Sequence, residues 1–332
     1  MSKVPVLVTG GAGYIGSHAV LALRDAGWDV AVIDDLSNGT RSVVPDDVPF
    51  YQGSVGERAL VERIFSERGT RAIMHFAGSI VVPESVEKPL DYYRNNTLAT
   101  HALLSAAVAQ GVPHVVFSST AAVYGAPERV PIAEGDPTRP INPYGASKLM
   151  TEWMLRDAAA AHPFNYAALR YFNVAGADPQ RRSGQIGKGS THLIKVAVEA
   201  ATGKRDHVDV YGTDYSTPDG SCVRDYIHVS DLADAHVKAL ERLIERPGGN
   251  LTLNCGYGRG LSVLDVLDTL DQALGEPVPR TIKPRRAGDP PQLIAANEAI
   301  RDILGWTPRF DRIETIVGDA LAWERHLQGI TA

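Results

Sequence analysis

A glycine-rich turn near the amino terminus constrains the fold of this chain more than any other stretch. Residues 4–9 form a short run rich in β-branched side chains, the glycines follow at once, and an apolar periodic segment covers residues 15–26. This order predicts a strand, a glycine turn and a helix, in which glycine permits unusual dihedral angles and lets a pyrophosphate approach the amides at the helix start. The turn residues expected at such a ligand are Gly10, Gly13, Tyr14, Ile15 and Gly16.

A second predicted strand, over residues 29–33, ends in two acidic residues, Asp34 and Asp35. A carboxylate at this position accepts hydrogen bonds from an adenosine ribose and repels a ribose 2′-phosphate. The sequence therefore predicts a site for NAD rather than NADP. The alternative is an ordinary α/β turn with a solvated aspartate.

Strands and helices continue to alternate along the first half of the chain. Helical patterns cover residues 61–67 and 90–110, and strand patterns cover residues 72–76, 114–118 and 166–172. Such alternation is typical of a parallel sheet with helices on its faces. The predicted fold class is therefore α/β, with a Rossmann-type doubly wound parallel sheet.

Two stretches follow strands of this predicted sheet, Phe76–Gly78 and Ser118–Thr120. Ligands of doubly wound sheets bind beyond the carboxyl ends of the strands, so we expect both stretches to face the glycine turn. Serine and threonine after a strand also form simple turns. Their position after a central strand favours the ligand site.

The character of the chain changes after residue 177. Residues 178–190 are polar and glycine-rich, and prolines interrupt residues 277–291. We therefore predict an NAD-binding Rossmann domain over residues 1–177. Residues 178–332 are predicted to form a smaller mixed α/β lobe that closes over the first, with crossovers of the chain back to the first domain allowed.

A tyrosine and a lysine, Tyr144 and Lys148, lie four residues apart directly after Asn142-Pro143. On the first turn of a helix these side chains lie one above the other. A phenol that acts as a base near neutrality needs its pKa lowered by about three units, or roughly 4 kcal/mol, which one cation about 4 Å away supplies at an effective dielectric of ~20. The alternative is a pair of ordinary surface residues at a helix start.

Two arginines far apart in sequence, Arg224 and Arg286, lie in predicted loops of the second lobe. The planar guanidinium group binds phosphate oxygens in a bidentate manner, so convergence of the two would favour a diphosphate. The alternative is solvated surface arginines.

Composition excludes several classes of protein. Of the 332 residues 44% are hydrophobic and 22% charged, as in ordinary globular proteins, and the net charge of -6 argues against nucleic-acid and anionic-membrane partners. Two cysteines and the lack of a leader or of an apolar run of ~20 residues predict a cytoplasmic protein. The 10 histidines show no clear spacing for two histidines and one carboxylate around a metal, so no metal site is predicted.

The combined motifs resemble the extended short-chain dehydrogenase/reductase family, and within it the UDP-glucose 4-epimerase family, over essentially the whole chain. Beyond the glycine turn, Thr120, Tyr144 and Lys148, the matching stretches are Asp34–Asn38, His75–Gly78, Glu84–Val86, Arg170–Asn173, Val223–Val229 with Asp231–Ala233, and Arg285–Asp289. The resemblance implies a Rossmann domain that holds NAD tightly and a smaller domain that holds a UDP-sugar. It also implies a homodimer formed through a four-helix bundle.

The resemblance implies a reversible C4 epimerisation of UDP-glucose and UDP-galactose through a 4-keto sugar. Tyr144 would take the proton of the 4-hydroxyl, Lys148 would lower the pKa of Tyr144 and bind the nicotinamide ribose, and Thr120 would hydrogen-bond near the 4-oxygen. The remaining implied cofactor positions are Asp34, Asn38, Ser54, Val55, Phe76, Ala77, Gly78, Asn95, Ser118 and Tyr171. The implied substrate positions, besides Thr120 and Tyr144, are Phe172, Asn173, His192, Leu193, Tyr211, Arg224, Arg286, Asp289 and Leu293.

Three positions depart from the family pattern. Ser54 stands where relatives often carry an aspartate near the adenine, and Ile80 stands where some carry a lysine near the cofactor, so we expect NAD to be held less tightly. Leu293 is intermediate between the bulky tyrosine associated with plain hexoses and the small residue associated with N-acetylated sugars. UDP-N-acetylglucosamine, UDP-xylose and UDP-glucuronate therefore stay open as substrates.

Two other enzymes and a non-catalytic protein are the alternatives within this superfamily. A dehydratase usually carries an Asp-Glu pair directly after the catalytic threonine, where this chain has Ala121 and Ala122. A net sugar-nucleotide dehydrogenase would use NAD as a consumed substrate, and a silent NAD-binding protein would not need Thr120, Tyr144 and Lys148 together. The complete trio favours an enzyme.

Overall fold

The computed structural model describes residues 3–186, 189–286 and 288–329. Gly187 and Lys188, which belong to the predicted polar loop, lie outside these ranges, as do Ala287 of the Arg285–Asp289 motif and the extreme termini. Within the ranges, none of the helices combines the length and the apolar character that a membrane crossing requires.

A parallel sheet forms the centre of the molecule, and seven of its strands lie in the described ranges. Most of its strands are buried along their whole length, because helices cover both faces. The predicted Rossmann-type, doubly wound α/β class is confirmed. In spatial order the strands are β11 (Leu251–Cys255), β6 (Asn165–Tyr171), β5 (His114–Thr120), β4 (Ala72–His75), β1 (Val6–Thr9), β2 (Val30–Asp34) and β3 (Phe50–Gln52).

The helices lie on two sides of this sheet and around the second lobe. Two hydrophobic clusters fill the space between sheet and helices. One lies beside α1 (Tyr14–Asp25) and α8 (Val229–Glu245), and the other lies beside α2 (Arg58–Arg68), α5 (Ala99–Ala109) and α6 (Pro143–Ala161). The bounds of the other helices are α3 Val82–Glu87, α4 Pro89–Tyr92, α7 Leu193–Ala201, α9 Val263–Leu274, α10 Glu298–Leu304 and α11 Ile313–Leu327.

The helix predicted over residues 90–110 is not uniform. It consists of α4, a π-helical stretch over Tyr93–Leu98, and α5. The wider turn directs Asn96 inward, where its amide bonds Ser79 and Ser147. A periodicity of 3.6 residues does not reveal such a widened turn, because the flanking segments keep the same apolar pattern.

The second lobe is built from small sheets. The strand β9 (Val223–Arg224) lies between β12 (Leu261–Ser262) and β14 (Gln292–Leu293). Two further strand pairs are β7 (Asn173–Ala175) with β10 (Tyr226–His228) and β8 (Val208–Tyr211) with β13 (Arg280–Lys283).

The chain returns to the large sheet after residue 228. Helix α8 packs against α1, and β11 pairs with β6 at one edge of the sheet. A second connection runs the other way, because the isolated bridge between Ile132 and Ala295 ties a loop of the first half to the end of β14. The division at residue 177 stays a prediction.

Candidate active site

The glycine turn lies between β1 and α1, beside the end of β4. A Cβ on Gly10 would lie 2.7 Å from the backbone nitrogen of Ala77, and one on Gly16 would lie 2.1 Å from the Gly10 oxygen. These two glycines are therefore required by contacts inside the protein. Gly13 caps α1, and no side chain of the described residues bonds the amides at this helix start. Those amides can receive an anion.

The side chain of Tyr14 points away from the turn, because its hydroxyl donates to the Gly176 oxygen at 2.7 Å. Its role at the cofactor, and that of its neighbour Ile15, would come from the backbone at the start of α1. Both stay predictions.

Asp34 lies at the carboxyl end of β2, next to the turn. Its two carboxylate oxygens accept from the amides of Ala12 at 2.9 Å and Leu36 at 2.8 Å. Burial raises the pKa of Asp34, and the two amides oppose this shift. Leu36 has a φ of 61°, a left-handed conformation that is unusual for leucine and that the Asp34 bond supports. The exposed Asn38 follows in the same loop.

Asp35 is exposed and bonds Ser37 instead, so the two adjacent acids have different surroundings. Asp34 is the one at the turn. It therefore fits the ribose position that the sequence assigned to it.

Ser54 and Val55 follow the end of β3. The Ser54 hydroxyl accepts from the Gly56 amide at 3.1 Å, and Val55 is buried in the core. The serine thus stabilises its own turn. An adenine contact by either residue stays a prediction.

The loop after β4 is held close to the glycine turn. The amide of Ala77, which follows Phe76, donates to the Thr9 hydroxyl at 3.3 Å. A Cβ on Gly78 would lie 2.8 Å from the Asn96 side-chain oxygen. The predicted cofactor residue Asn95 is exposed and bonds the Ser79 hydroxyl at 3.2 Å.

Sequence reasoning missed Asn96, which links this loop to α6. Its side-chain oxygen accepts from the Ser79 amide at 2.7 Å, and its nitrogen donates to the Ser147 hydroxyl at 3.0 Å. Only the π-helical stretch decides which of the two adjacent asparagines faces inward. No pattern in the sequence shows this.

Thr120, Tyr144 and Lys148 lie where β5 ends against the start of α6. Asn142 caps this helix by accepting from the Gly145 amide at 2.9 Å. The Lys148 ammonium donates to the Ser118 oxygen at 3.1 Å and lies 4.9 Å from the centre of the Phe117 ring. The structure therefore brings the predicted catalytic trio to one place.

The charges of the trio are governed by burial. Burial raises the pKa of Tyr144 well above its ordinary value, the nearby Tyr171 acts in the same direction, and the Thr120 hydroxyl opposes the shift. Burial also lowers the pKa of Lys148 to about 8. The direction for Tyr144 is opposite to the one expected from its spacing to Lys148, because removal of the phenol from water is the largest effect on its pKa.

The end of β6 and the start of β7 supply the next group of predicted residues. The Ser118 hydroxyl donates to the Tyr171 hydroxyl at 2.9 Å, beside the catalytic trio. Phe172 is buried in a small apolar cluster with Tyr124, and Leu293 packs against this cluster. The backbone of Asn173 is fixed by its N–H group, which donates to the backbone oxygen of Asp225 at 3.0 Å.

The second lobe brings its predicted residues together across two small sheets. Arg224 donates to the backbone oxygens of Val223 and Pro290, both at 2.9 Å, and its guanidinium lies 3.9 Å from Asp289. The guanidinium of Arg286 lies 4.2 Å from the centre of the Tyr211 ring. Leu293 pairs with Arg224 in register. These contacts place two cations, a carboxylate and an exposed aromatic ring in one region.

His192 and Leu193 lie at the start of α7. The exposed His192 ring bonds the Gln185 amide at 2.9 Å and borders a small cavity with Tyr14 and Trp323. Leu193 packs against the core beside α7. Their assignment to the nucleotide stays a prediction.

Metal ligands do not cluster in this region or elsewhere in the described ranges, which contain no group of three histidine, cysteine or acidic side chains able to hold an ion.

The parallel sheet, the glycine turn, the aspartate at the end of β2 and the Tyr144–Lys148 pair define a Rossmann-fold protein of the short-chain dehydrogenase/reductase class. A model of the NAD dependent epimerase/dehydratase family matches residues 6–256, and the chain belongs to this family.

The similar proteins narrow this family. The UDP-glucose 4-epimerase of Azospirillum brasilense is 61% identical over 323 residues, covering 97% of this chain and 92% of the relative. The crystal structure of UDP-glucose 4-epimerase from Brucella ovis in complex with NAD superposes with a TM-score of 0.93 at 44% identity, over 97% and 98% of the two chains. The enzyme from Stenotrophomonas maltophila with bound NAD and formylated UDP-arabinopyranose gives a TM-score of 0.95 at 37% identity, over 99% and 100%. The resemblance to UDP-glucose 4-epimerase predicted from the sequence is confirmed.

Proposed function

We propose that this chain is an NAD-dependent UDP-glucose 4-epimerase, an isomerase that interconverts UDP-glucose and UDP-galactose. The observation that carries the proposal is the convergence of Thr120, Tyr144 and Lys148 at the end of β5. The similarity to UDP-glucose 4-epimerases over nearly the full length supports the same reaction.

The residues of the cleft fit NAD. The uncapped amides at the start of α1 would hold the pyrophosphate, Asp34 would hold the adenosine ribose, and Lys148 would hold the nicotinamide ribose. When bound, NAD supplies a reversible acceptor for the hydride of the sugar C4.

Tyr144 would take the proton of the sugar 4-hydroxyl and return it to the inverted product, with the Thr120 hydroxyl steadying the same oxygen. Burial keeps Tyr144 protonated in the chain alone, so the proton transfer requires a cation beside the phenol. With its pKa at about 8, Lys148 is still charged near neutrality and can favour the phenolate.

Inversion at C4 requires the sugar to present both faces to the same tyrosine. Strong contacts on the hexose would prevent its rotation, whereas contacts on the diphosphate would not. Arg224 and Arg286 would hold the diphosphate, with Asp289 and Asn173 beside it, and Tyr211 would contact the uridine end.

The sugar itself is tested by incubation of the purified protein with UDP-glucose, UDP-N-acetylglucosamine, UDP-xylose and UDP-glucuronate separately, and chromatography of each 4-epimer. We expect conversion of UDP-glucose to a mixture with UDP-galactose, without NADH that accumulates in proportion to product. Conversion of only another sugar would correct the substrate, stoichiometric free NADH would indicate a dehydrogenase, and no conversion of any sugar would overturn the proposal. The UDP-N-acetylglucosamine incubation tests whether a pocket with Leu293 also accepts an N-acetyl group on the sugar.

We also propose that the enzyme is a homodimer, formed through the face that α3, α4, the π-helical stretch Tyr93–Leu98 and α6 present to solvent. Large apolar side chains are exposed there, and they are Val86, Leu90, Leu98 and Trp153. A second copy of the same face would cover them. The cytoplasm is proposed as the compartment, because Cys222 and Cys255 are buried and unpaired in the described ranges.

A further inference from the structure

A buried ion pair lies directly behind the catalytic trio. Glu152 on α6 and Arg170 on β6 are 5% and 6% exposed. The guanidinium donates to both carboxylate oxygens of Glu152, at 2.9 and 2.6 Å. Well-packed apolar residues often give a fold the same stability as a buried ion pair, so such a pair points to a role in fixing geometry.

Glu152 also holds the catalytic strand. The Ser119 hydroxyl donates to a Glu152 oxygen at 2.6 Å, and Ser119 precedes Thr120 on β5. Lys148 contacts the two residues that precede Ser119 on β5, namely the Phe117 ring and the Ser118 backbone oxygen. Helix α6 is therefore joined to three successive residues of β5 before Thr120, and the last of these, Ser119, is held by Glu152.

Arg170 holds the turn that follows Thr120. One of its nitrogens donates to the Tyr124 hydroxyl at 2.9 Å, and Tyr124 ends the 3-10 turn Ala121–Tyr124 that begins after Thr120. The Tyr124 hydroxyl in turn donates to the Asn254 side-chain oxygen at 2.7 Å. The pair thus fixes the backbone on both sides of Thr120, through Ser119 before it and Tyr124 after it.

We propose that Glu152 and Arg170 are positioning residues that fix the Thr120 hydroxyl relative to Tyr144 and Lys148. They act through Ser119 and Tyr124. The relative placement of β5 and α6 sets the distances within the trio, and a displacement of about 1 Å at such a site costs as much as a hundredfold in rate. The inference rests on the proposed epimerase function.

The test uses the purified full chain and compares Ser119→Ala with Thr151→Val. Ser119→Ala removes one buried hydroxyl of β5 that bonds Glu152. Thr151→Val removes a buried hydroxyl of α6, next to Glu152, that bonds only the Ser147 backbone oxygen among the described residues. For Ser119→Ala we expect kcat for UDP-glucose to fall about tenfold, KM to stay within about twofold, and the kinetic isotope effect of C4-deuterated UDP-glucose to rise. Thr151→Val should change none of these.

The isotope effect separates positioning from simple loss of folded protein. A smaller folded fraction lowers kcat without any change in the isotope effect, whereas a misplaced Thr120 makes the C4–H cleavage more rate-limiting. In the background of Thr120→Ala, Ser119→Ala should have no further effect on kcat, because residues that act through one group are not additive.

Glu152→Gln is the second variant, and it should show the same rise in the isotope effect with a lower thermal midpoint. If it does not fold, Ser119→Ala still decides. An unchanged isotope effect in Ser119→Ala, or full additivity with Thr120→Ala, would overturn the inference while the wild type turns over normally. A wild type without turnover would instead overturn the proposed function, and this inference with it.

Discussion

Lys148 is a lysine removed almost completely from water, with 3% of its surface exposed. Its ammonium rests on the Ser118 oxygen and the Phe117 ring rather than on a carboxylate. Burial of a charge in such surroundings disfavours the charged form, which is why its pKa falls. The charged Lys148 side chain therefore lowers the free energy of unfolding of the protein.

Replacement of this cation should stabilise the protein without NAD. Folding lowers the pKa of Lys148 from 10.5 to about 8. Between pH 8 and pH 10.5 the unfolded chain therefore binds more protons than the folded chain does, and the stability of the folded chain rises with pH. At about 1.4 kcal/mol per unit, the cost below pH 8 is roughly 3 kcal/mol. We expect Lys148→Met to raise the free energy of unfolding by about this amount at pH 7 and to lose the advantage between pH 8 and pH 10.5.

Urea unfolding of the NAD-free protein at pH 7 and near pH 10 measures this difference. Lys238→Met, on the half-buried face of α8, serves as the control and should change stability by less than about 0.5 kcal/mol at both values. A Lys148→Met protein no more stable than the wild type at pH 7 would contradict the buried-cation account.

Tyr144→Phe tests the proton transfer itself. A positioned acid or base contributes roughly 100- to 10,000-fold to a rate, so we expect kcat to fall within that range while the dissociation constant for UDP stays close to normal. Steady-state kinetics and calorimetry measure the two quantities. Tyr51→Phe, which removes an edge-strand hydroxyl bonded to Glu67, should leave both unchanged. Nearly normal turnover in Tyr144→Phe would sink the mechanism.

The sequence predicts residues of this kind only when they lie close together in the chain. Tyr144 and Lys148 are one helical turn apart, so their proximity follows from helix geometry. Ser119, Glu152 and Arg170 come from three different elements, and only the packing of α6 and β6 against β5 brings them together. Spacing carries no record of such contacts.

At the scale of elements, alternation predicted the large sheet but not its full width. Strands β1, β2, β4, β5 and β6 were predicted to within a few residues, because each buried run is bounded by a helix. The edge strand β11 was not, since it follows β6 only after a long stretch that builds the second lobe. Its pairing with β6 depends on the three-dimensional path of the chain.

A buried cluster of charged side chains joins α7 to α11, and we expect its disruption to destabilise the packing of these two helices. Lys195 lies 3.5 Å from Glu199 and also donates to Glu324, and all three side chains are almost completely buried. Removal of Lys195 leaves Glu199 and Glu324 with only the partly exposed cations Lys204 and Arg205 as partners. We therefore expect Lys195→Met to lower the free energy of unfolding by about 2 kcal/mol, less than for a buried charge left without any partner. Arg58→Met, in the exposed pair with Glu62, should cost less than about 0.5 kcal/mol.

Urea unfolding at pH 7 compares the two variants. Arg58→Met should unfold at nearly the same urea concentration as the wild type, because solvent screens exposed ion pairs. Equal losses for both would show that the buried cluster does not hold α7 to α11.

At the scale of the whole molecule, the sequence could not tell an inner face from an interface. The apolar stripes of the helices around residues 90–110 and 148–161 are satisfied equally by a core or by a second copy of the chain. The structure separates the two, because Leu90 is 79% exposed and Leu98 63% exposed, while Leu103 of the same helical run is buried. Thr97 contacts Met150 of α6, so the exposed residues of both helices form one surface.

This surface makes the oligomeric state testable. Burial of a Leu or Val side chain contributes about 1.5–3 kcal/mol, so several such residues stabilise a dimer, whereas a carboxylate placed among them without a partner opposes it. We expect sedimentation of the wild type at micromolar concentration to give twice the mass of one chain, and the double variant Leu90→Glu/Leu98→Glu to give a single chain. Ile282→Glu, at an exposed position of β13, should leave the dimer intact. A monomeric wild type, or a double variant that still dimerises, would show that this face is not the interface.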